Sequence, residues 1–234
     1  QRYASTGSAT GSEFHINTYT NSYQRYPSVA MDDDGDFIVT WQSANQTGDG
    51  IYGIFGQRYA STGSATGSEF HINTYTNDNQ RYPSVAMDGD GDFIVTWQSH
   101  NQTGDIYYGI FGQRYKSDGT TNGIEFHINT YTNAQQQNSS VAMDDDGDFI
   151  VTWESNNQTG DLGYGIFGQR YASTGSATGS EFHINTETNS YQLNPSVAMD
   201  GDGDFIVTWL SFYQTGEDYS GVFGQRYNNL GVGQ

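Results

Sequence analysis

Cysteine is absent from this chain, proline occurs three times, and eight lysines and arginines face 27 aspartates and glutamates. Without cysteine there are no disulfides, thiol nucleophiles or thiolate metal sites. The shortage of cations leaves a formal net charge of −19, which repels duplex nucleic acid and anionic membrane. Cations, neutral polar molecules such as glycans, or basic surfaces are the partners such a charge admits. No apolar run approaches the roughly 20 residues of a membrane helix, and no segment has helical periodicity. The chain opens on Gln1 without a signal peptide, which reads as a mature or excised piece.

What is present is aromatic and repetitive. There are 18 Tyr, 13 Phe and 4 Trp among 234 residues, too many for a disordered acidic chain. "QRY" recurs at Gln1, Gln57, Gln113, Gln169 and Gln225, always 56 residues apart, and "QRYASTGSATGSEFHINTYTN" at 1–21 returns unchanged at 57–77. The whole of 1–234 is therefore read as one domain of four repeats starting at 1, 57, 113 and 169, with a partial fifth copy at 225–234.

Each repeat predicts four strands, in the first copy "PSVAMD" (27–32), "DFIVTWQS" (36–43), "IYGIFGQRYAS" (51–61) and "SEFHINT" (68–74), rich in β-branched and aromatic residues and separated by Gly, Asp, Asn and Ser. The Asp-Gly at 34–35 predicts a tight hairpin of type I′ character. "FIVTW" is apolar on both faces, as in a strand sandwiched between two sheets. Four-stranded units with one doubly buried strand describe the blades of a β-propeller. The expected fold is an all-β, four-bladed propeller, closed by the N-terminal strand at 13–18 joining the C-terminal blade, which lacks a fourth strand of its own. A trefoil needs three repeats, a solenoid needs distinct caps, and an eight-bladed ring of two chains is the remaining alternative.

In this register the loops sort onto two faces. One carries "MDDDGD" (31–36), "MDGDGD" (87–92), "MDDDGD" (143–148) and "MDGDGD" (199–204), together 14 of the 27 acidic residues. Alternating carboxylates are calcium-ligand chemistry, and Asp32, Asp34, Asp36, Asp88, Asp90, Asp92, Asp144, Asp146, Asp148, Asp200, Asp202 and Asp204 are the candidate ligands. The competing reading is a plain acidic turn whose side chains bond local amides.

The other face is polar and aromatic, and most differences between copies fall there. Its candidate ligand-binding residues are Tyr23, Arg25, Tyr26, Asn45, Gln46, Asp49 and Tyr52 in the first copy. Their counterparts are Arg81, Tyr82, Asn101, Asp105 and Tyr108, then Asn157, Asp161 and Tyr164, and Tyr191. Tyr, Asn, Gln and Asp supply the stacking surfaces and hydrogen bonds that sugars need.

The in-register histidines His15, His71, His127 and His183 fall on the outermost strands, where solvent or a blade interface is their expected surroundings. The tryptophans are expected to fill blade interfaces, and the "GQRY" arginines to pair with carboxylates. No nucleophile elbow or phosphate loop occurs, every acid pair falls in a loop repeated fourfold, and the chain is close to fourfold symmetric. The expectation is therefore a non-enzymatic, multivalent, lectin-like binding module, with a calcium-stabilised adhesin spacer as the alternative. Near-identical copies also invite a strand-swapped dimer.

"EFHINTYT…QRYPSVAMDDDGDFIVTWQS…GIFGQRY" resembles tandem repeats of very large secreted bacterial proteins that carry RTX-type calcium-binding or adhesin modules. The resemblance spans essentially the whole chain and implies an extracellular, propeller-like module. The aspartate hairpin is more distantly similar to the FG-GAP propeller loop, whose final downstream Asp is missing here. It is also similar to the sialidase Asp-box, but the spacing from Gly35 to Trp41 is too long for that motif.

Overall fold

The computed structural model describes residues 1–46, 48–214 and 218–234. All of its regular structure is β. A short hairpin of β1 (Arg2–Tyr3) and β2 (Ala9–Thr10) precedes four antiparallel sheets. The first holds β3 (Gln24–Met31), β4 (Phe37–Ala44), β5 (Tyr52–Tyr59) and β6 (Ala65–His71). The second holds β7 (Gln80–Met87), β8 (Phe93–His100), β9 (Tyr108–Tyr115) and β10 (Phe126–His127). The third holds β11 (Gln136–Met143), β12 (Phe149–Asn156), β13 (Tyr164–Tyr171) and β14 (Ala177–His183). The last has only β15 (Gln192–Met199), β16 (Phe205–Phe212) and β17 (Ser220–Tyr227). Strands pair in sequence order within each sheet, and the innermost strands β3, β7, β11 and β15 pack successively on one another. This is the blade arrangement expected of a propeller.

The first strand of each blade starts three residues before the predicted boundary. A bulge lies between Arg25 and Ser28, and again at Arg81/Ser84, Gln137/Ser140 and Leu193/Ser196. The extension has a cause in the core. Gln80, Gln136 and Gln192 are fully buried at the strand starts, and their Oε1 atoms accept hydrogen bonds from Trp97, Trp153 and Trp209 Nε1 at 3.1, 3.0 and 3.0 Å. A buried indole N–H needs such a partner. In the first blade Trp41 Nε1 and Gln24 Oε1 are both buried without one among the described residues.

Blade interfaces repeat. Ile38, Ile54 and Ile72 of the first blade pack on Val85, Phe93, Val95, Trp97, Phe111 and Tyr115 of the second. The same positions pack the second on the third and the third on the fourth. "FIVTW" is doubly buried, as expected: Phe93 to Trp97 and Phe149 to Trp153 are at most 1% exposed.

Closure within the chain is not seen. Segment 13–18 is not hydrogen-bonded to β17, whose sheet keeps three strands, and among the described residues β15 does not pack on β3 as neighbouring inner strands do. Instead Phe14 and Ile16 pack on Val39, Trp41, Phe55 and Tyr59 of the first blade.

Candidate functional site

On the acidic face the aspartates serve the backbone. Each loop is a type I turn closed by one glycine in left-handed conformation, Gly35 at φ 83° for example, with neither intervening residue at positive φ. It is thus not the mirror-image turn predicted. Oδ1 of Asp32, Asp88, Asp144 and Asp200 accepts from the amide of Asp36, Asp92, Asp148 and Asp204 at 2.8–2.9 Å. Oδ1 of Asp36, Asp92, Asp148 and Asp204 in turn accepts from Ser61, Ser117, Ser173 and Asn229 amides at 2.7–2.9 Å. Asp34, Asp90, Asp146 and Asp202 point to solvent. Among the described residues no three His, Cys, Asp or Glu side chains gather closely enough to hold a metal ion. Burial raises the carboxyl pKa of Asp88 and Asp144 against the opposing pull of their amide donors.

The "GQRY" arginines depart from expectation too. Arg58, Arg114 and Arg170 donate to the carbonyls of Ser117, Ser173 and Asn229 on the next blade. They lie across Gly119, Gly175 and Gly231, where any Cβ would collide with the guanidinium. Among the described residues only Arg226 of this set reaches a carboxylate, Asp204 at 3.4 Å.

On the opposite face several predicted ligand residues are tied up internally. Asp49, Asp105 and Asp161 have fully buried side chains, 2.9, 2.9 and 3.1 Å from Nε2 of His71, His127 and His183, and each accepts from Asn73, Asn129 or Asn185 Nδ2. These histidines stack on Phe55, Phe111 and Phe167. A carboxylate enclosed in this way anchors its loop to the outer strand; it does not face a ligand. Gln46 is likewise spent, accepting from Ser43 Oγ and donating to Glu69 at 2.6 Å. Parts of loops 43–52 and 211–220 fall outside the described residues.

Two of the remaining candidates, Tyr26 and Tyr82, do meet. Tyr26, Tyr82, Asn138 and Asn194 stand at the bulges of the four inner strands with φ of 53, 55, 54 and 54°. Bulges re-aim side chains, and left-handed backbone in such residues is a strain often found at functional sites. With Pro27, Pro83, Ser139 and Pro195 they line a depression of about 320 Å³ where the inner strands converge. The strain is held from behind. Gln42 and Gln98 accept the amides of Tyr82 and Asn138 at 3.2 and 3.1 Å, and Glu154 accepts that of Asn194 at 2.6 Å. Glu154, buried, also accepts from Gln137 and from Asn138 Nδ2.

One part of this face is unlike its counterparts in the other repeats. Asp78 Oδ2 lies 2.8 Å from His100 Nδ1 and accepts from Asn101 Nδ2 at 3.0 Å. Partial burial works against ionisation of Asp78, but bonds from His100, the Asn79 amide and Asn101 hold its carboxyl below the usual aspartate range. His100 packs on Tyr108 at 4.8 Å, Arg81 lies 4.9 Å over Tyr52, and Tyr82 meets Tyr26 at 4.4 Å. Arg81 Nε is buried without a hydrogen bond among the described residues. A bond to Tyr26, then burial, raises the Tyr82 hydroxyl pKa, and burial raises that of Tyr108. Tyr23 and Arg25 form a separate exposed pair at 4.5 Å, and Tyr164 and Tyr191 another at 6.3 Å. Asn45, Asn101 and Asn157 are exposed at left-handed loop positions.

Asp78 and His100 were legible only as departures from the repeat: Ser22, Ala134 and Ser190 stand where Asp78 does, and Ala44, Asn156 and Phe212 where His100 does.

No family model matches the chain and no curated protein matches it. Solved structures do. An endo-arabinase from Bacteroides thetaiotaomicron is 15% identical with a TM-score of 0.55, over 95% of this chain and 83% of that one. An α-L-arabinanase from Penicillium chrysogenum, complexed with arabinobiose, is 14% identical with a TM-score of 0.60, over 92% and 67%. A protein of unknown function from Dyadobacter fermentans is 11% identical with a TM-score of 0.64, over 92% and 68%. At these identities the likeness shows the fold, a β-propeller. It also overturns the expectation of a non-enzymatic lectin-like module or inert spacer, because the similar structures include several glycoside hydrolases.

Proposed function

We propose that the chain is a carbohydrate-active propeller that hydrolyses glycosidic bonds of extracellular polysaccharide at the face carrying Tyr26, Tyr82 and Asp78. The observation that carries this reading is the asymmetric cluster: one Asp–His pair beside an aromatic ring surface and a guanidinium, on a scaffold otherwise repeated fourfold. In it Asp78 holds His100 Nδ1 and orients the ring, His100 gives a proton to the leaving glycosidic oxygen as the bond to the anomeric carbon breaks, and a water adds at that carbon and returns a proton to His100. Tyr52, Tyr82 and Tyr108 offer sugar-stacking faces. Glu154 is a positioning residue, since its carboxylate accepts from the Asn194 amide, Asn138 Nδ2 and Gln137. Similarity to arabinanase folds and to repeats of large secreted proteins agrees with a polymeric glycan outside the cell.

The test is release of reducing ends from arabinan and xylan. Asp78→Asn is expected to lower the rate by at least ~10²-fold, as loss of the carboxylate that orients a catalytic histidine does, while the thermal transition hardly moves. A folded wild-type protein releasing no sugar from either polymer, or an equally active Asp78→Asn, overturns the assignment.

A further inference from the structure

The three internal blade interfaces leave one unmatched face at each end. At the C-terminal end, Ile206 and Val222 are 45% and 80% exposed, whereas their counterparts Ile38, Ile54, Ile94, Ile110, Ile150 and Ile166 are all 0%. At the N-terminal end Val29 and Met31 are 63% and 62% exposed, whereas Val85 and Val141 are 7%. Beside Val29 runs a groove of about 590 Å³ whose apolar wall is Phe14, Ile16, Val29, Met31, Phe37 and Val39.

The occupant of that groove is specified by what already borders it. Segment 14–18 sits against the first blade as the outer strand of one blade sits against the next. The Phe14–Tyr59 rings are 5.5 Å apart, as Phe70–Tyr115 are 5.6 Å. Tyr59 Oη donates to the Ile16 carbonyl at 3.1 Å, as Tyr115 does to that of Ile72 at 3.4 Å. The Thr18 amide donates to Glu69 at 2.7 Å, as that of Thr74 does to Glu125 at 2.6 Å. The molecule therefore holds an outer strand without its sheet, and at its other end a sheet, β15–β17, without its outer strand. The open arc keeps the two apart within one chain.

We propose that copies of this chain associate head to tail, with β15–β17 of one copy seated in the groove of the next and β17 paired along segment 14–16. Ile206 and Val222 then meet Phe37 and Val39 as Ile94 and Ile110 meet Phe149 and Val151. The pairing repeats an interface that the chain builds three times internally, with the same residue types. Residues 1–3 duplicate 225–227, and Arg2 donates to the Ser61 carbonyl as Arg58 does to that of Ser117. In the assembly Arg226 of the incoming copy takes the place of Arg2, and the β1–β2 hairpin swings out. Such a contact is heterologous, closing into a ring or continuing as a filament according to its rotation.

Light scattering on the full chain, from nanomolar into high micromolar concentration, tests this. The wild type is expected to show concentration-dependent species larger than a monomer. Val222→Asp and Val29→Asp each remove one exposed face without touching the core, and each alone is expected to be monomeric. Mixed together they are expected to pair, because each retains the face the other has lost. A wild type monomeric throughout, association unchanged by Val222→Asp, or a mixture that stays monomeric overturns the proposal. A monomeric wild type whose melting temperature falls with Val222→Asp identifies closure within one chain instead.

Discussion

Strands β12 and β16 share the residues "FIVTW" and differ in fate. In β12 every one of the five is buried, whereas in β16 Phe205 and Val207 are buried and Ile206 is 45% exposed. The buried set faces the preceding blade and the exposed set faces where the following blade would be. Double burial is thus a property of position in the array, and the same side chain contributes stability only where a neighbour covers it.

The sharpest way to break this comparison is a pair of truncations measured by denaturant unfolding of dilute protein. Ile150→Ala empties a fully enclosed site and is expected to cost about 2–5 kcal/mol. Ile206→Ala removes a half-exposed side chain and is expected to cost less than about 1 kcal/mol. Equal losses refute the positional reading.

A smaller contrast separates the first blade from the third. Gln136→Leu orphans the Trp153 indole N–H, which Gln136 accepts at 3.0 Å, and is expected to cost about 1–3 kcal/mol. Gln24→Leu is expected to be within about 0.5 kcal/mol of neutral, because among the described residues Trp41 Nε1 has no bond to lose. Melting temperatures of the two variants decide it.

The smallest effect belongs to Asp78. Its folded pKa lies below the unfolded value, so its contribution is present above the ordinary aspartate range and is lost as pH falls through the folded pKa. With the pair partly exposed, the stability gap between wild type and Asp78→Asn is expected to be under about 1 kcal/mol near neutrality and to close in acid. A gap that widens in acid contradicts the depressed pKa.

Much of the fold was legible in the sequence, because a 56-residue period and an all-apolar "FIVTW" leave few architectures. The sorting of loops onto two faces was legible too. Strand starts were not, since Gln80 and Gln136 look like loop residues until a tryptophan N–H is placed opposite them. The fate of Asp49, Asp105 and Asp161 was equally hidden: an aspartate in a polar loop reads as exposed, and only the outer-strand histidine and asparagine reveal it as an anchor. Closure failed as an expectation because the strand count says nothing about the angle between blades, which packing at each interface sets. The asymmetric cluster was visible all along, in the residues that broke the repeat.

The acidic hairpins hold one more regularity. Asp33 reaches across to Gly89, and Asp145 to Gly201, so closely that a Cβ on either glycine would stand 3.0 or 2.4 Å from the carboxylate. On this rim the chain counts in pairs, with a long side chain always facing a bare backbone. An even number of blades preserves that parity when the pattern is continued in register. A single added or deleted repeat would set two aspartates against each other, or leave two glycines facing an empty notch.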